Sequence, residues 1–181
     1  MAMEENNGRQ YPAYEVIMDA VKYSLQEELE EGQNVVYSSR YGEVALKNAD
    51  GTIIRFSSLS DGYRNIIKIV TDIATKMCIL NPYLETATLE KTPGVVVIDE
   101  LDLSLHPTWQ KRIVRILKTL FPKIQFLCAT HSPFIIQSLE PGELIVLDGA
   151  NDEAYSGQSI EDIAEDIMNV ETPQYSEKKL R

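Results

Sequence analysis

Cysteine, histidine and tryptophan are scarce in this sequence, with two cysteines, two histidines and one tryptophan among 181 residues. Cys78 and Cys128 lie far apart in apolar surroundings, so we expect buried free thiols in a reducing compartment and no disulfide. Together with His106 and His131 they match none of the spacings that bind zinc. A disulfide scaffold and a zinc domain are therefore excluded.

Long apolar runs are also missing. No stretch reaches the roughly 18 consecutive apolar residues of a membrane span, so we expect no transmembrane segment. The first ten residues are polar and lack the basic-then-apolar start of a secretory signal. We therefore expect a cytoplasmic protein. With 44% hydrophobic and 25% charged residues, a chain of 181 residues is expected to form one domain with a sizeable core.

Acidic residues are concentrated at the two ends of the chain. The net charge is −11, of which residues 1–33 carry −6 and residues 151–181 carry −5, whereas residues 34–150 are balanced. A net acidic chain without a basic block is poorly suited to bind nucleic acid by itself, so direct nucleic-acid binding is not indicated.

The first half of the sequence predicts a helix, a hairpin and a second helix. Apolar residues at helical spacing run from Tyr14 to Leu29, and this helix is expected to end near Gly32. Three strand-like runs follow at 35–37, 43–47 and 52–56, the last two joined by a turn at 48–51. A buried helix over 63–80 ends at Asn81-Pro82, and a loop is expected over 83–93.

From Val95 onward, strands alternate with helices. The unbroken apolar run 95–98 predicts a strand buried on both faces, as in a parallel sheet. A helix over 109–121, a strand over 125–129, a short helix over 134–139 and a third strand over 144–147 follow. Ser159 begins a capping box, and the tail from Glu171 is expected to be frayed. This order predicts a doubly wound α/β fold with a parallel sheet, preceded by a smaller α+β part.

Two adjacent carboxylates, Asp99 and Glu100, follow the first of these apolar strands. Ligands of open α/β sheets lie at the carboxyl ends of the strands. There Asp99 is suited to a magnesium shell, and Glu100 is suited to act as general base toward an attacking water. The alternative is that both acids form a solvated turn at a strand end.

Two further polar segments are candidates for phosphate contacts. His131 follows the next strand, where its ring could donate to a γ-phosphate, although it could also be a structural histidine that caps the following helix. Ser60 and Gly62 begin the helix that precedes Asn81, where free amides and the positive end of the dipole attract anions. The alternative for Ser60 is a simple helix N-cap.

Taken together, the segments LSDGYRN, GVVVIDELDLSLHPTWQ and FLCATHSP resemble the motifs of an ABC-type ATPase head. The first is similar to the ABC signature loop, the second to Walker B followed by the D-loop, and the third to the switch histidine region. The closer resemblance is to the AAA-family ATP-binding proteins grouped with the OLD and SMC-like ATPases of bacteria, which often occur in phage-defence or virulence-linked operons. It covers about residues 43–147.

This resemblance implies a P-loop NTPase-like fold, ATP and Mg²⁺ as cofactors, and dimerisation of two heads around ATP. Asp99, Glu100 and His131 would then act on a nucleotide held in cis, whereas Ser60 and Gly62 would contact the nucleotide of the partner head. The implied organisation is an acidic helical segment at 1–33, an ATPase core at 34–150, and an acidic helix and tail at 151–181. A second head, or a P-loop-bearing chain, and a nuclease or other effector are the partners that the family implies.

The sequence departs from this family because it contains no Walker A motif and no Gly-Lys pair. We therefore expect that it begins partway through the helical insertion of a longer ATPase, and that by itself it binds ATP weakly without hydrolysing it. The alternative is a truncated or split, inactive fragment that acts as an interaction module. A histidine also stands at position 106, where several ABC-type relatives carry an acid.

Overall fold

The computed structural model describes residues 12–147 and 159–166. Residue contacts divide the chain into one unit of residues 1–97 and 115–127 and another of residues 98–114 and 128–181. The helices and strands are α1 (Pro12–Leu25), β1 (Asn34–Ser38), β2 (Glu43–Lys47), β3 (Ile53–Arg55), α2 (Asp61–Leu80), α3 (Thr88–Lys91), β4 (Gly94–Ile98), α4 (Pro107–Leu120), β5 (Ile124–Cys128), α5 (Pro133–Ile136) and α6 (Ile160–Asp166).

Helices α1 and α2 pack against each other in the first unit through their buried apolar faces. Helix α1 ends at Leu25, earlier than the predicted end near Gly32. Four glutamates at positions 27, 28, 30 and 31 follow it. Their mutual repulsion, and the negative end of the helix dipole, disfavour another helical turn, so the chain turns there instead.

Strands β1, β2 and β3 form an antiparallel sheet in that order, as the three predicted runs require. The predicted turn at 48–51 is confirmed. Gly51 adopts a φ of 85°, which favours glycine, and its amide donates to the carbonyl of Asn48 over 2.9 Å. The carboxylate of Asp50 accepts a hydrogen bond from the amide of Thr52 over 2.8 Å and stabilises the same turn.

The segment between α2 and β4 is more ordered than the predicted loop. It contains a short 3₁₀ segment, Pro82–Ala87, followed by the single turn of α3. Both cysteines are free, as predicted, but only Cys78 is buried, and the expected burial of Cys128 is wrong.

Strands β4 and β5 form a parallel two-stranded sheet. One face is open, because the side chains of Val95 and Val97 are 60% and 74% exposed and Leu127 is 49% exposed. The prediction that the strand at 95–98 is buried on both faces is therefore wrong for this chain. An apolar run predicts a strand that is covered on both faces, but it does not show whether this polypeptide provides the cover.

After β5, the predicted third strand is wrong and the predicted capping box is confirmed. The third strand expected at 144–147 does not form, and Ile145 and Leu147 are 71% and 92% exposed. The capping box is confirmed, because Ser159 Oγ accepts from the amide of Asp162 over 3.1 Å and Asp162 Oδ2 accepts from the amide of Ser159 over 3.3 Å. The expected frayed tail lies outside the described residues.

The predicted fold class, a parallel sheet flanked by helices with a small α+β part before it, is confirmed. None of the helices in the described part of the chain is long and apolar enough to span a membrane.

Candidate functional site

The carboxyl ends of β4 and β5 are joined by backbone hydrogen bonds that continue beyond the strands. The amide of Ala129 donates to the carbonyl of Ile98 over 2.9 Å, and the amide of Leu101 donates to the carbonyl of Ala129 over 3.0 Å. Asp99 and Glu100 lie between these two bonds in the chain. The acidic turn after β4 therefore lies beside Ala129, the residue that precedes Thr130 and His131.

Glu100 has an unusual backbone conformation for a residue with a side chain. Its φ is 52°, in the left-handed region that glycine favours, and Ser104 in the same turn has a φ of 59°. Such conformations are unfavourable for most residues and are concentrated at functional sites. The side chains of Asp99 and Glu100 are both exposed, so neither charge is buried and both are open to a ligand.

His131 is exposed, and its backbone amide donates to Asp102 Oδ1 over 3.1 Å. The alternative that His131 caps the following helix is wrong, because the cap of α5 is Ser132. The hydroxyl oxygen of Ser132 accepts from the amides of Phe134 and Ile135 over 3.1 and 3.3 Å. The imidazole of His131 thus follows the end of β5, and hydrogen bonds of His131 and Ser132 fix the backbone at this point.

Asp102 is a residue of this site to which the sequence assigned no role. Besides the amide of His131, its Oδ1 accepts the hydroxyl of Thr130 over 2.5 Å. Burial by itself would raise the pKa of Asp102, but the bonds from Thr130 and His131 outweigh it and hold the pKa below its ordinary value. The sequence feature that could have identified Asp102 is an acid three residues after Asp99, together with a threonine directly before His131.

Two residues near the start of α4 complete the loop structure. The Nδ1 of His106 accepts the amide of Thr108 over 3.3 Å, so His106 caps the helix as an acid at that position could. The amide nitrogen of the Gln110 side chain donates to the carbonyls of Asp102 and Leu105 over 3.3 and 2.9 Å, and its oxygen accepts the hydroxyl of Ser132 over 2.6 Å.

Ser60 and Gly62 lie at the start of α2, in the other unit. Ser60 occupies the N-cap position with an extended backbone, but its hydroxyl makes no capping hydrogen bond, so the simple N-cap interpretation explains its backbone and not its side chain. Ser60 is exposed, whereas Gly62 is buried. The serine hydroxyl is therefore the more accessible of the two predicted ligand contacts.

The residues that could hold magnesium are few. Within the described ranges, no group of three or more histidine, cysteine, aspartate or glutamate side chains is placed to bind a metal ion. Mg²⁺ in nucleotide sites commonly keeps several waters and takes one or two carboxylates plus phosphate oxygens. The exposed carboxylate of Asp99 fits that partial role, and the remaining ligands would come from a nucleotide and its phosphate-binding loop.

Residues 8–137 match the family model described as "AAA domain, putative AbiEii toxin, Type IV TA system". Among curated proteins, the chain is 41% identical over 102 residues to the retron Vc95 probable ATPase of Vibrio cholerae serotype O1 biovar El Tor. It is 40% identical over 107 residues to the Septu protein PtuA of Bacillus mycoides strain KBAB4. These matches cover 56% and 59% of this chain but only 19% and 14% of the two relatives, so the chain spans less than a fifth of their length.

Two solved structures of SMC ATPase heads are also similar. The SMC head bound to the C-terminal winged-helix domain of ScpA matches 71% of this chain and 37% of its own, with a TM-score of 0.45 and 13% identity. A structure from work on ATP-driven dimerisation and DNA-stimulated activation of SMC ATPases matches 72% of this chain and 78% of its own, with a TM-score of 0.43 and 14% identity.

Proposed function

Because this chain belongs to that AAA-domain family, whose model covers residues 8–137, we propose that it is the signature- and Walker B-bearing part of an ABC-type ATPase head. One observation carries the proposal. The acidic turn at 99–100 and the loop that carries His131 are hydrogen-bonded side by side at the carboxyl ends of two parallel strands. That edge is where open α/β sheets bind their ligands.

The proposed roles follow from the chemistry of each side chain. Asp99 offers a hard, charged oxygen to the magnesium shell. Glu100 accepts a proton from the attacking water, a contribution that typically accelerates a reaction by about 10²–10⁴. His131 donates from its ring to the γ-phosphate, where negative charge must be stabilised during transfer.

ATP binding requires a phosphate-binding loop that these residues do not supply. The 181 residues contain no Walker A motif, and therefore no cradle of glycine-loop amides and no phosphate lysine. We infer that a P-loop-bearing segment completes the head, either on the same polypeptide or on a separate one.

The open face of the β4–β5 sheet supports this completion. Val95 and Val97 expose most of their side chains, and Leu127 about half. Burying such apolar surface is favourable by roughly 25 cal/mol per Å², so exposed apolar sheet residues commonly mark an interaction surface. A segment that carries the P-loop and packs on this face would bury these residues and could place its phosphate loop at the same end of the sheet as Asp99.

Ser60 and Gly62 are proposed to act on a nucleotide held by a second head. The hydroxyl of Ser60 is not used to cap α2, so it is available to donate to a phosphate oxygen. The amides of the first turn and the helix dipole favour the same anion. In this arrangement ATP lies between two heads and drives their association.

The proposed setting is a bacterial phage-defence system in the cytoplasm, in which the ATPase controls a nuclease or other effector. The support is the similarity to a retron ATPase and to a Septu protein. The test is a plaque assay on bacteria that carry the complete locus. Glu100→Gln is expected to abolish protection, and protection at the parental level would contradict this role.

A second candidate is favoured by the missing Walker A motif: an inactive fragment that acts as an interaction module. Calorimetry and turnover assays with Mg-ATP separate the two proposals only when a P-loop-bearing segment is added. The chain alone is expected to show no micromolar binding and no turnover under either proposal. Mixing it with a P-loop-bearing segment, encoded in frame or beside it, is expected to restore ATP hydrolysis only if it is part of an ATPase head.

A variant of the open sheet face tests the completion step. Val97→Lys is expected to leave the isolated chain folded, because the side chain is 74% exposed, and to abolish complementation by the P-loop segment. Ile79→Lys is the matched control, since Ile79 is 71% exposed but lies at the end of α2. Equal complementation by both variants would show that the sheet face is not the contact.

A further inference from the structure

The loop that carries His131 is fixed by side chains that follow the acidic turn. Asp102 Oδ1 accepts both the hydroxyl of Thr130 and the amide of His131, across 28 and 29 residues of sequence. A single carboxylate oxygen thereby holds two consecutive residues of the other loop. Hydrogen bonds to a charged acceptor are stronger than neutral ones, so this contact is well suited to fix a backbone.

A second connection holds the other side of His131. The hydroxyl of Ser132 donates to Gln110, whose side-chain nitrogen donates to the carbonyl of Asp102 and of Leu105. The amide of Ser132 also donates to Thr130 Oγ1 over 3.1 Å. The residues before and after His131 are therefore both tied to the segment that begins with Glu100.

The imidazole itself is exposed, so its position depends on its backbone. Glu100, two residues before Asp102, is held in a left-handed conformation in the same connected segment. Displacing a catalytic group by about 1 Å can reduce a rate by about 10²-fold, which makes such support necessary in an active site. We propose that Asp102 is a positioning residue, which holds the loop of His131 in a fixed position relative to the acidic turn of Glu100.

This inference rests on the proposed ATPase function for its consequence, but its structural part is tested without ATP. The full 181-residue chain, labelled with ¹⁵N, is compared by NMR with Asp102→Ala and Asp102→Asn. The alanine variant is expected to move the His131 amide resonance upfield and to accelerate its exchange with water about tenfold or more, because a charged hydrogen-bond acceptor is lost. Asparagine keeps an acceptor oxygen and is expected to restore most of the wild-type behaviour.

Two further variants keep this test decisive. Asp50→Ala is the matched control, because Asp50 also accepts a backbone amide, that of Thr52, and its loss is expected to leave His131 unchanged. If Asp102→Ala does not fold, Thr130→Val removes one of the two bonds to Asp102 without removing the carboxylate, and it also removes the acceptor of the Ser132 amide. It is expected to change the His131 amide, and an unchanged His131 amide in this variant would also contradict the proposal. An unchanged His131 amide in folded Asp102→Ala would overturn the proposal.

The functional arm uses the ATPase completed by a P-loop segment. Asp102→Ala is expected to lower kcat by about 10- to 100-fold, with KM within about twofold, and Asp102→Asn is expected to recover most of the rate. Parental turnover by Asp102→Ala would overturn the positioning role. If the completed wild-type enzyme hydrolyses no ATP, the proposed function fails, and the NMR comparison still decides whether Asp102 fixes the loop.

Discussion

The polar side chains in the loops after β4 and β5 differ from Ser60, at the start of α2, in how they are hydrogen-bonded. In the loops after β4 and β5, the side chains of Asp102, Thr130 and Ser132 are all engaged in hydrogen bonds within the chain. At the start of α2, Ser60 has the backbone of an N-cap, but its hydroxyl makes no capping bond.

The difference is between side chains that are hydrogen-bonded within the chain and a serine hydroxyl that makes no capping hydrogen bond. A loop whose polar groups are paired internally fixes the backbone that carries the exposed imidazole of His131. Such preorganisation favours electrostatic stabilisation of a transition state. A serine hydroxyl left without a capping role is suited to a contact made by assembly. The proposed roles, action in cis for Asp99, Glu100 and His131 and action in trans for Ser60, are compatible with this contrast.

The largest effect is expected for the proposed general base. In the ATPase completed by a P-loop segment, Glu100→Gln is expected to lower single-turnover hydrolysis by about 10²–10⁴. Glutamine can still hold the water, but it cannot accept its proton at neutral pH. Nucleotide binding should survive, so the variant should accumulate as an ATP-bound dimer in size-exclusion chromatography.

Asp99→Asn is the matched comparison for that experiment. It removes a charged oxygen ligand, so the expected loss is in Mg-nucleotide affinity, measured by calorimetry, and not in proton transfer. Parental hydrolysis by Glu100→Gln would show that the base is misassigned. Identical behaviour of the two variants, with no change in turnover, would show that both acids form only a solvated strand end.

The two serines give a second contrast, now in stability. Ser132 is buried and caps α5, and its hydroxyl also donates to Gln110. Ser132→Ala is expected to lower the free energy of unfolding by about 1–2 kcal/mol. Ser60→Ala removes an exposed hydroxyl that makes no capping bond, so its change is expected to stay within about 0.5 kcal/mol.

Urea denaturation at neutral pH measures both serine variants. Equal destabilisation would contradict the contrast between the loop after β5 and the start of α2, because it would mean that the hydroxyl of Ser60 also stabilises the fold. A change in the slope of the transition would mean a change in the compactness of one state or a loss of two-state behaviour, and a second probe would distinguish these.

Ser60→Ala is expected to have its effect on assembly instead. A hydrogen bond to a charged phosphate is worth about 1.5–3 kcal/mol, so ATP-dependent association of two completed heads should weaken by roughly tenfold or more. Analytical ultracentrifugation of hydrolysis-deficient Glu100→Gln, with and without Ser60→Ala, measures this. Unchanged association would rule out a phosphate contact by this hydroxyl.

The sequence predicted well those features that are set locally. The turn at Gly51, the end of α2 at Leu80 and the capping box at Ser159 depend on a few neighbouring residues, and the structure confirms them. The acidic turn and His131 were located because a strand end followed by polar residues is itself a local pattern.

Features that depend on distant residues could not be predicted in the same way. The bond from Thr130 to Asp102 spans 28 residues, and no periodic pattern reveals it. The exposure of Val95 and Val97 depends on whether another segment packs on that face of the sheet, and the sequence of the strand does not show this. The apolar residues at 144–147 suited a strand, but they join neither of the two sheets in the described part of the chain.

The smallest expected effect is the acid dependence of the Asp102 contact. Its pKa is lowered in the folded protein, so the carboxylate contributes stability above the ordinary value of 3.8 and loses that contribution as the pH falls through the lower, folded-state value. The measurement is the difference in unfolding free energy between wild type and Asp102→Asn, followed from pH 7 into acid. The difference is expected to be constant at neutral pH and to shrink below about pH 4, because protonation removes from the wild type the same charge that asparagine lacks. Asp19→Asn, at an exposed position of α1, controls for the loss of one negative charge. A difference that grows in acid would mean that the folded protein prefers a neutral group at position 102, and the hydrogen bonds from Thr130 and His131 could then not be those of a carboxylate.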